Sequence, residues 1–318
     1  MSKRPIIQAI RRRSSRIARA SISRVLRKIE ERLPLAHEAQ DPVFIIGAPR
    51  TGSTVLYQAL TNAYDLSYID NLTCRWHRNL LFGAWLSQRR FGNVPHDNFL
   101  AEHGATDRYG MHAPSECGEF WYRWLPRDRH YVSDADLSPQ MVKEIRAALS
   151  CISQLTGRPV LIKNLNAGQR LALLAQSFPD AKIIFLQRDP RFVLTSILEA
   201  RRALHIPDHQ MWSVRPPAFD TLLHFPIDRM CLEQICAVEA QIEQDLERFP
   251  AKNVRRILYH DLSDDLLAEL ATWIGVTARP NGALPEFQKD DPARLSEEVK
   301  TLWNTWGSRY PVSQRALL

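Results

Sequence analysis

One short motif constrains the fold of this chain more than any other feature, the octet Gly47–Thr54 with the sequence GAPRTGST. It follows the apolar run Val43–Ile46 and precedes a helix-like segment over residues 55–60. A strand that leads into a glycine-bounded turn and then a helix directs backbone N–H groups and the positive helix end at one point. The octet therefore predicts a strand–turn–helix unit that binds a phosphorylated ligand.

The octet has the spacing of the nucleotide-binding P-loop, G-x-x-x-x-G-K-[ST], except that Ser53 occupies the lysine position. In P-loop enzymes that lysine reaches the transferred phosphoryl group, and the next hydroxyl residue holds magnesium. The missing lysine argues against ATP or GTP chemistry. Arg50 instead supplies a fixed positive charge inside the loop without a metal. The alternative interpretation is an ordinary strand–turn–helix junction with a surface arginine.

A second motif has the same strand-to-helix form. The apolar segment Lys182–Gln187 leads into Arg188-Asp189-Pro190-Arg191, and Ser196 follows Arg188 by eight residues. Arg188 can present a planar fork to phosphate oxygens. Eight residues make about two helical turns, so Ser196 would lie on the same side as the helix start. Alternatively, Arg188 and Asp189 form a surface ion pair before a proline at the first helical position.

Together, GAPRTGST and RDPR with its later serine resemble the sulfotransferases that use 3′-phosphoadenosine-5′-phosphosulfate (PAPS). The resemblance covers roughly residues 42–275 and is nearest to the protein-tyrosine and carbohydrate branch and to bacterial sulfotransferase-like proteins. It implies a P-loop-like α/β fold of three layers, α/β/α, around a central parallel sheet. It also implies that Arg188 and Ser196 hold the 3′-phosphate of the donor. The residues implied to bind the 5′-phosphosulfate are Arg50, Thr51, Gly52, Ser53 and Thr54.

Two further strand ends match the family more weakly. Lys163 ends the apolar segment 159–163, where related sulfotransferases carry a catalytic lysine that stabilises charge on the bridging oxygen as the sulfuryl group leaves. A solvated lysine is the alternative. Tyr259 resembles the tyrosine of the family's Tyr-Glu-Asp-Leu strand end, with His260 replacing the glutamate. This places Tyr259 near the 3′ side of the nucleotide, although simple packing is an equal alternative.

Transfer to a hydroxyl group needs a base beside the acceptor. Asp70 lies 20 residues after Arg50, where the protein-tyrosine branch has a catalytic glutamate. Glu116 lies in a Pro-Ser-Glu segment similar to an acidic segment of many bacterial sulfotransferase-like proteins. Glu116 and Glu119 would share one face if this piece is helical. Glu116 is the preferred base and Asp70 the second candidate.

The chain has 318 residues, of which 45% are hydrophobic, enough for one large α/β domain over residues 41–318. We expect parallel strands with helices on both faces and the ligand at the strand C-termini. The expected strands are 43–47, 160–163, 183–187 and 254–259. The expected helices include 53–63, 168–177, 191–204, 230–248, 263–274 and 295–305.

The basic charge is concentrated at the N-terminus. Residues 1–33 contain eleven Lys and Arg against two Glu, a net charge of +9, whereas the whole chain carries +7. The pattern predicts a basic amphipathic helical segment over residues 1–40, with its helix ending before Pro34. It could contact an anionic membrane or an acidic partner, or pack on the main domain or a second subunit. No aromatic-interleaved patch favours nucleic acid.

The absence of several sequence signals limits the expected location of the protein and the kinds of site it contains. No run of eighteen apolar residues and no signal-peptide core occurs, which favours a cytoplasmic protein, with a location peripheral to a membrane as the alternative. The five cysteines lack C-x-x-C spacing, so we expect reduced thiols rather than a disulfide framework, and no metal site.

The resulting hypothesis is a sulfotransferase that moves the sulfuryl group of PAPS to a hydroxyl of an unidentified acceptor. Carbohydrate, lipid, tyrosine and small alcohol or phenol acceptors all stay open, because a fold does not determine its substrate. An enzyme alternative is a P-loop kinase with a degenerate loop, which would need ATP and magnesium. A third class is a non-catalytic protein that binds a membrane or a partner through its basic helix.

Overall fold

The computed structural model describes residues 22–307 and contains one sheet in that range. Its strands are β1 (Val43–Ile46), β2 (Ser67–Tyr68), β3 (Val160–Lys163), β4 (Lys182–Gln187) and β5 (Val254–Leu258). Their spatial order is β2-β3-β1-β4-β5, and every neighbouring pair is parallel. Because β1 is the central strand, the loop that follows it emerges at the middle of the sheet, at the C-terminal ends of the strands.

Helices pack on both faces of this sheet, as expected for a parallel α/β fold. In chain order they are α1 (22–30), α2 (Ser53–Ala63), α3 (Asn71–Arg75), α4 (Leu80–Phe91), α5 (Gly118–Trp121), α6 (Pro139–Thr156), α7 (Leu171–Ser177), α8 (Pro190–Ala203), α9 (Phe219–Leu222), α10 (Ile227–Leu246), α11 (Asp264–Ile274) and α12 (Glu297–Trp306).

Side chains alternate along the central strand, so β1 contributes to two separate cores. Phe44 and Ile46 belong to the larger core, which includes residues of α6, α7, α8 and α10. Val43 and Ile45 belong to the smaller core, with residues of α2 and α11. This period of two places every β1 side chain in an apolar layer, which explains why the strand is a continuous hydrophobic run.

The strand register brings the C-terminal ends of four strands, β3, β1, β4 and β5, to the same side of the sheet. Ile45 of β1 pairs with Lys163, the last residue of β3, and with Ile184 of β4. Farther along, Gln187 at the end of β4 pairs with Leu258 at the end of β5. The segments that follow these strands therefore leave the sheet together, at the edge where parallel α/β folds bind their ligands.

The expected architecture is confirmed, with differences at the ends and in short elements. The four expected strands and six expected helices are present, but the helix expected over 168–177 begins as a 3₁₀ turn, Leu165–Gln169, and becomes α7 at Leu171. The two-residue strand β2 was not predicted. Helix α6 was also missed, although its signals are in the sequence: Ser138 caps it, Pro139 begins it and Gly157 ends it.

The predicted N-terminal helix can be compared only from residue 22, because residues 1–21 lie outside the described range. Helix α1 ends at residue 30 and is anchored on α4 through Glu30, whose carboxylate accepts from the Phe82 amide at 3.0 Å and from Asn79 Nδ2 at 2.9 Å. Leu26 is buried. Part of the segment therefore packs on the main domain. Among residues 22–307, no helix is both long and apolar enough to cross a membrane.

Candidate active site

The octet forms a tight turn between β1 and α2, and its two glycines are required by close approaches. A Cβ at Gly47 would overlap the carbonyl oxygen of Leu186. A Cβ at Gly52, whose φ is 90°, would overlap the ring of Tyr259. Within residues 22–307 no side chain caps the N-terminus of α2. Its first amide groups are therefore available to an anion.

Arg50 points from this turn toward the second motif. Its backbone is left-handed, with a φ of 68°, a conformation that is uncommon for a residue with a side chain. Its Nε donates to Ser196 Oγ at 2.9 Å. Burial lowers the pKa of the Arg50 guanidinium, and the neighbouring charge of Arg188 lowers it further. The structure therefore brings together the loop arginine and both residues predicted to hold the 3′-phosphate.

The guanidinium of Arg188 lies at the centre of this group and has protein partners on several sides. Its Nη1 donates to the carbonyl oxygen of Arg50 at 3.0 Å, and it stacks over the Tyr259 ring at 4.5 Å. Its Nε and Nη2 form a two-pronged ion pair with Asp290, with Nε 3.1 and 3.0 Å from the two carboxylate oxygens. Tyr259 thus packs between Gly52 and Arg188, and Asp290 was not predicted.

Lys163 is buried rather than solvated, with only 2% of its side chain exposed. Its Nζ donates to Thr54 Oγ1 at 3.0 Å and forms an ion pair with the Glu116 carboxylate. The other oxygen of Glu116 accepts from the Leu165 amide at 3.1 Å. Lys163 therefore connects the turn after β1 with the preferred candidate base, a connection that a buried charge requires.

Two clefts meet at this ion pair. The first has a volume of about 370 Å³ and is lined by Lys163, Arg188 and four residues of the octet: Arg50, Gly52, Ser53 and Thr54. The second has a volume of about 350 Å³ and is lined by Glu116. Trp212 and Ser213 line both clefts. A larger cavity of about 760 Å³ lies at the far end of α2 and contains none of the predicted site residues.

The structure does not bring Asp70 into this group. Asp70 is 1% exposed and caps α3, accepting from the Thr73 amide at 2.7 Å and from Ser87 Oγ at 2.5 Å. Burial raises the pKa of this carboxyl group despite those hydrogen bonds. Both oxygens thus have structural partners, and the geometry favours Glu116 over Asp70 as the base.

The hydrogen bonds that hold the loops around the site were not predicted. Polar side chains one turn apart on α2 hold residues 93–104 along the helix, a pattern visible in the sequence as polar residues at four-residue steps. Thr54, Gln58 and Asn62 donate to the carbonyl oxygens of Gly104, Leu100 and His96, respectively. The segment beside Trp212 is held by Gln234, whose Nε2 donates to the carbonyl oxygens of Trp212 and Val214 at 2.8 and 2.6 Å.

The expectation of reduced thiols is wrong for two of the five cysteines. Cys74 and Cys117 form a disulfide bond with a Cα–Cα distance of 5.4 Å. Their separation of 43 residues carries no motif, and the pairing arises because the chain around residue 114 runs beside Asp70. Cys117 directly follows Glu116, so the bond anchors the segment that carries this carboxylate. The expected cytoplasmic location stays a prediction, since disulfides are more usual in oxidising compartments.

Comparison with known proteins identifies the family. The model of the Sulfotransferase family matches residues 42–274, well over half of the chain. This chain belongs to the sulfotransferase family. Two curated relatives of the sulfotransferase are omega-hydroxy-beta-dihydromenaquinone-9 sulfotransferase Stf3 from Mycobacterium bovis and from Mycobacterium tuberculosis, each 27% identical over 205 residues. The match covers 58% of this chain and 50% of each relative, so the chain spans about half the length of the curated relatives it matches.

Solved structures of other sulfotransferases are similar at low identity. One from Alicyclobacillus acidocaldarius is 15% identical, covers 87% of this chain and 98% of its own, and has a TM-score of 0.45. Sulfotransferase STF9 from Mycobacterium avium is 15% identical, covers 86% of this chain and 69% of its own, and has a TM-score of 0.43. The family assignment rests on the sequence match alone.

Proposed function

We propose that this sulfotransferase moves the sulfuryl group of PAPS to a hydroxyl group of an acceptor bound in the second cleft. The observation that carries the proposal is the position of Lys163, whose Nζ contacts both Thr54 of the first cleft and Glu116 of the second. A donor and an acceptor that occupied these clefts would meet at this ion pair. Sulfuryl transfer needs that geometry, because the acceptor oxygen must reach the sulfur atom of the bound donor.

On the donor side, the amide groups at the start of α2 and the hydroxyl groups of Ser53 and Thr54 would bind the 5′-phosphosulfate. Arg50 adds a positive charge from within the turn. Arg188 and Ser196 would bind the 3′-phosphate, which distinguishes PAPS from ATP. Supporting this assignment, Arg50 already contacts Ser196 through its side chain and Arg188 through its carbonyl oxygen.

Bound PAPS would supply an activated sulfuryl group, which bonds to the acceptor oxygen as its bond to the 5′-phosphate oxygen breaks and 3′,5′-ADP leaves. Glu116 would take the proton of the acceptor hydroxyl as that oxygen forms its new bond. Lys163 would stabilise the negative charge that develops on the departing oxygen. The Leu165 amide and the neighbouring disulfide at Cys117 hold Glu116 in place for this role.

The lining of the second cleft combines apolar and polar side chains. Leu165, Met211 and Trp212 offer apolar surface, while His130 and Asn166 offer hydrogen-bonding groups. Such a mixture suits an acceptor with an apolar body and a hydroxyl group. Because the two mycobacterial relatives are named for a hydroxylated dihydromenaquinone, a long-chain lipid alcohol is the first acceptor class to test. Carbohydrate, tyrosine and phenol acceptors form the rest of the screen.

We also propose that α1 contacts an anionic membrane surface, which would bring such an acceptor close to the enzyme. Three apolar residues form an exposed row on this helix, with 51%, 60% and 37% exposure for Ile22, Val25 and Ile29. Arg24 and Lys28 lie alongside this row on α1, Arg32 follows two residues after the helix ends, and all three are exposed. An apolar row bordered by positive charge is typical of helices that lie on anionic lipid.

The proposal is tested by incubating the protein with PAPS and each acceptor class and detecting the sulfated product by mass spectrometry. We expect product with PAPS in the absence of added magnesium, and none from the variant Glu116→Gln above a small residual rate. A parallel reaction with ATP and magnesium tests the kinase alternative. Phosphorylated product there, without sulfated product from PAPS, would contradict the proposal.

A further inference from the structure

The side chain of Asp290 lies where the proposed function requires a phosphate group. Its carboxylate accepts from Nε and Nη2 of Arg188, the two nitrogens that form one edge of the guanidinium fork. The third nitrogen, Nη1, donates to the carbonyl oxygen of Arg50. All three guanidinium nitrogens of Arg188 therefore have acceptors within the protein. The guanidinium group also stacks on the Tyr259 ring.

A carboxylate and a phosphate make the same kind of contact with arginine. Each offers two oxygens to two parallel N–H donors, and each carries negative charge. A 3′-phosphate and the Asp290 carboxylate would repel each other if both approached this single fork. The second predicted phosphate ligand, Ser196, accepts from Arg50, and its O–H can still donate to a phosphate, so the competition is confined to the Arg188 fork. The donor's 3′-phosphate must therefore replace existing contacts.

Asp290 belongs to a short segment, residues 284–291, that a few side chains hold in place, whereas residues 276–283 before it are hydrogen-bonded to the end of α2 and to the chain just beyond it. Residues 276–291 contain no helix or strand between the end of α11 and a 3₁₀ turn at Pro292–Arg294. Within residues 284–291, Leu284 and Phe287 pack against the smaller core, and Lys289 Nζ donates to the carbonyl oxygens of His260 and Leu262. Gln288 lines the first cleft. A segment without regular structure, held by a few side chains, can move at modest cost.

We propose that Asp290 is an internal competitor of the donor's 3′-phosphate and that donor binding releases Asp290 from Arg188. This inference rests on the proposed function, because it assumes a donor whose 3′-phosphate reaches Arg188. The competition makes the affinity for the nucleotide weaker than it would be if Arg188 were not paired with Asp290. It also couples the position of residues 284–291 to occupancy of the first cleft, because Asp290 and Gln288 belong to the same short segment.

The variant Asp290→Asn tests the competition while keeping the side chain's size. We expect its affinity for 3′,5′-ADP, measured by calorimetric titration, to rise by about tenfold, the factor that corresponds to one charge-assisted hydrogen bond. Its affinity for 5′-AMP, which lacks the 3′-phosphate, should stay within about twofold of the wild type. The matched control is Asp291→Asn, whose parent side chain caps the Ala293 amide instead of pairing with Arg188.

A second measurement follows the segment itself. In the wild-type protein, 3′,5′-ADP should speed amide hydrogen exchange in the peptide over residues 284–291, and 5′-AMP should not. Unchanged or weaker binding of 3′,5′-ADP by both Asp290→Asn and Asp290→Ala would overturn the inference and make Asp290 a positioning residue for Arg188. A wild-type protein that binds no 3′,5′-ADP would instead contradict the proposed function on which the inference rests.

Discussion

Replacing Lys163 by methionine tests the proposed chemistry most sharply, because the change removes one charge and keeps a side chain of similar length. Lys163 Nζ lies 3.0 Å from Thr54 Oγ1, within the part of the turn proposed to hold the phosphosulfate. Two unit charges about 4 Å apart interact by about 4 kcal/mol at an effective dielectric constant of about 20. If half to all of a charge develops on the departing oxygen, the loss is about 2–4 kcal/mol. We therefore expect kcat to fall by roughly 30-fold to 1000-fold.

The assay measures kcat and the affinity for 3′,5′-ADP in the same preparation. The affinity should change by less than about threefold, because the charge acts on the transition state rather than on bound product. The Tm should fall, because the change leaves the Glu116 carboxylate without its ion-pair partner, although this carboxylate is 28% exposed and keeps its hydrogen bond from the Leu165 amide. The matched control is Lys182→Met, at the start of β4, where the lysine Nζ donates to the Ile274 carbonyl oxygen at 2.8 Å. A Lys163→Met enzyme with kcat within threefold of the wild type would refute the assigned role.

Three further outcomes follow from the same structure. Glu116→Gln should lower kcat by about 100-fold or more, whereas Glu119→Gln, which removes only an exposed ion pair, should leave it within about twofold; equal effects would refute the choice of base. Asp70→Ala should lower stability by about 1–2 kcal/mol, seen in denaturant unfolding, while the folded fraction keeps most of its kcat; full stability with lost activity would return Asp70 to the chemistry. Replacing the exposed row on α1, Ile22, Val25 and Ile29, by serine should reduce sedimentation of the protein with vesicles that contain phosphatidylglycerol. The control is Leu204→Ser, which changes an exposed apolar residue elsewhere. Equal vesicle binding by the two variants would refute the membrane proposal.

The proximities that the sequence predicts and the structure shows are those that follow from neighbouring residues and strand ends. The turn from β1 to α2 is one contiguous octet, so its glycines identify it without any knowledge of the remaining chain. Lys163 and Arg188 each follow a strand, and parallel strands all end at one edge of the sheet. Their proximity to the octet therefore follows from three strand assignments. The helix-capping role of Asp70 was also readable, because an aspartate at the N-cap is a common helix start.

Contacts between distant irregular segments could not be predicted in this way. Arg188 and Asp290 are 102 residues apart, and Asp290 lies in a stretch with no periodic pattern. The disulfide between Cys74 and Cys117 depends on the path of the chain around Asp70, which no local signal specifies. Strand β2 has only two residues, too few for an alternating pattern to appear. Each of these features is set by tertiary packing rather than by local propensity.

The binding of PAPS at this site is tested by calorimetric titration of the purified protein with 3′,5′-ADP, and separately with ATP plus magnesium. We expect 3′,5′-ADP to bind without a metal, ATP with magnesium not to compete with it, and Arg188→Ala to weaken the binding. Binding of ATP with magnesium in place of 3′,5′-ADP, or an affinity for 3′,5′-ADP that Arg188→Ala leaves unchanged, would contradict the assignment of this site to PAPS.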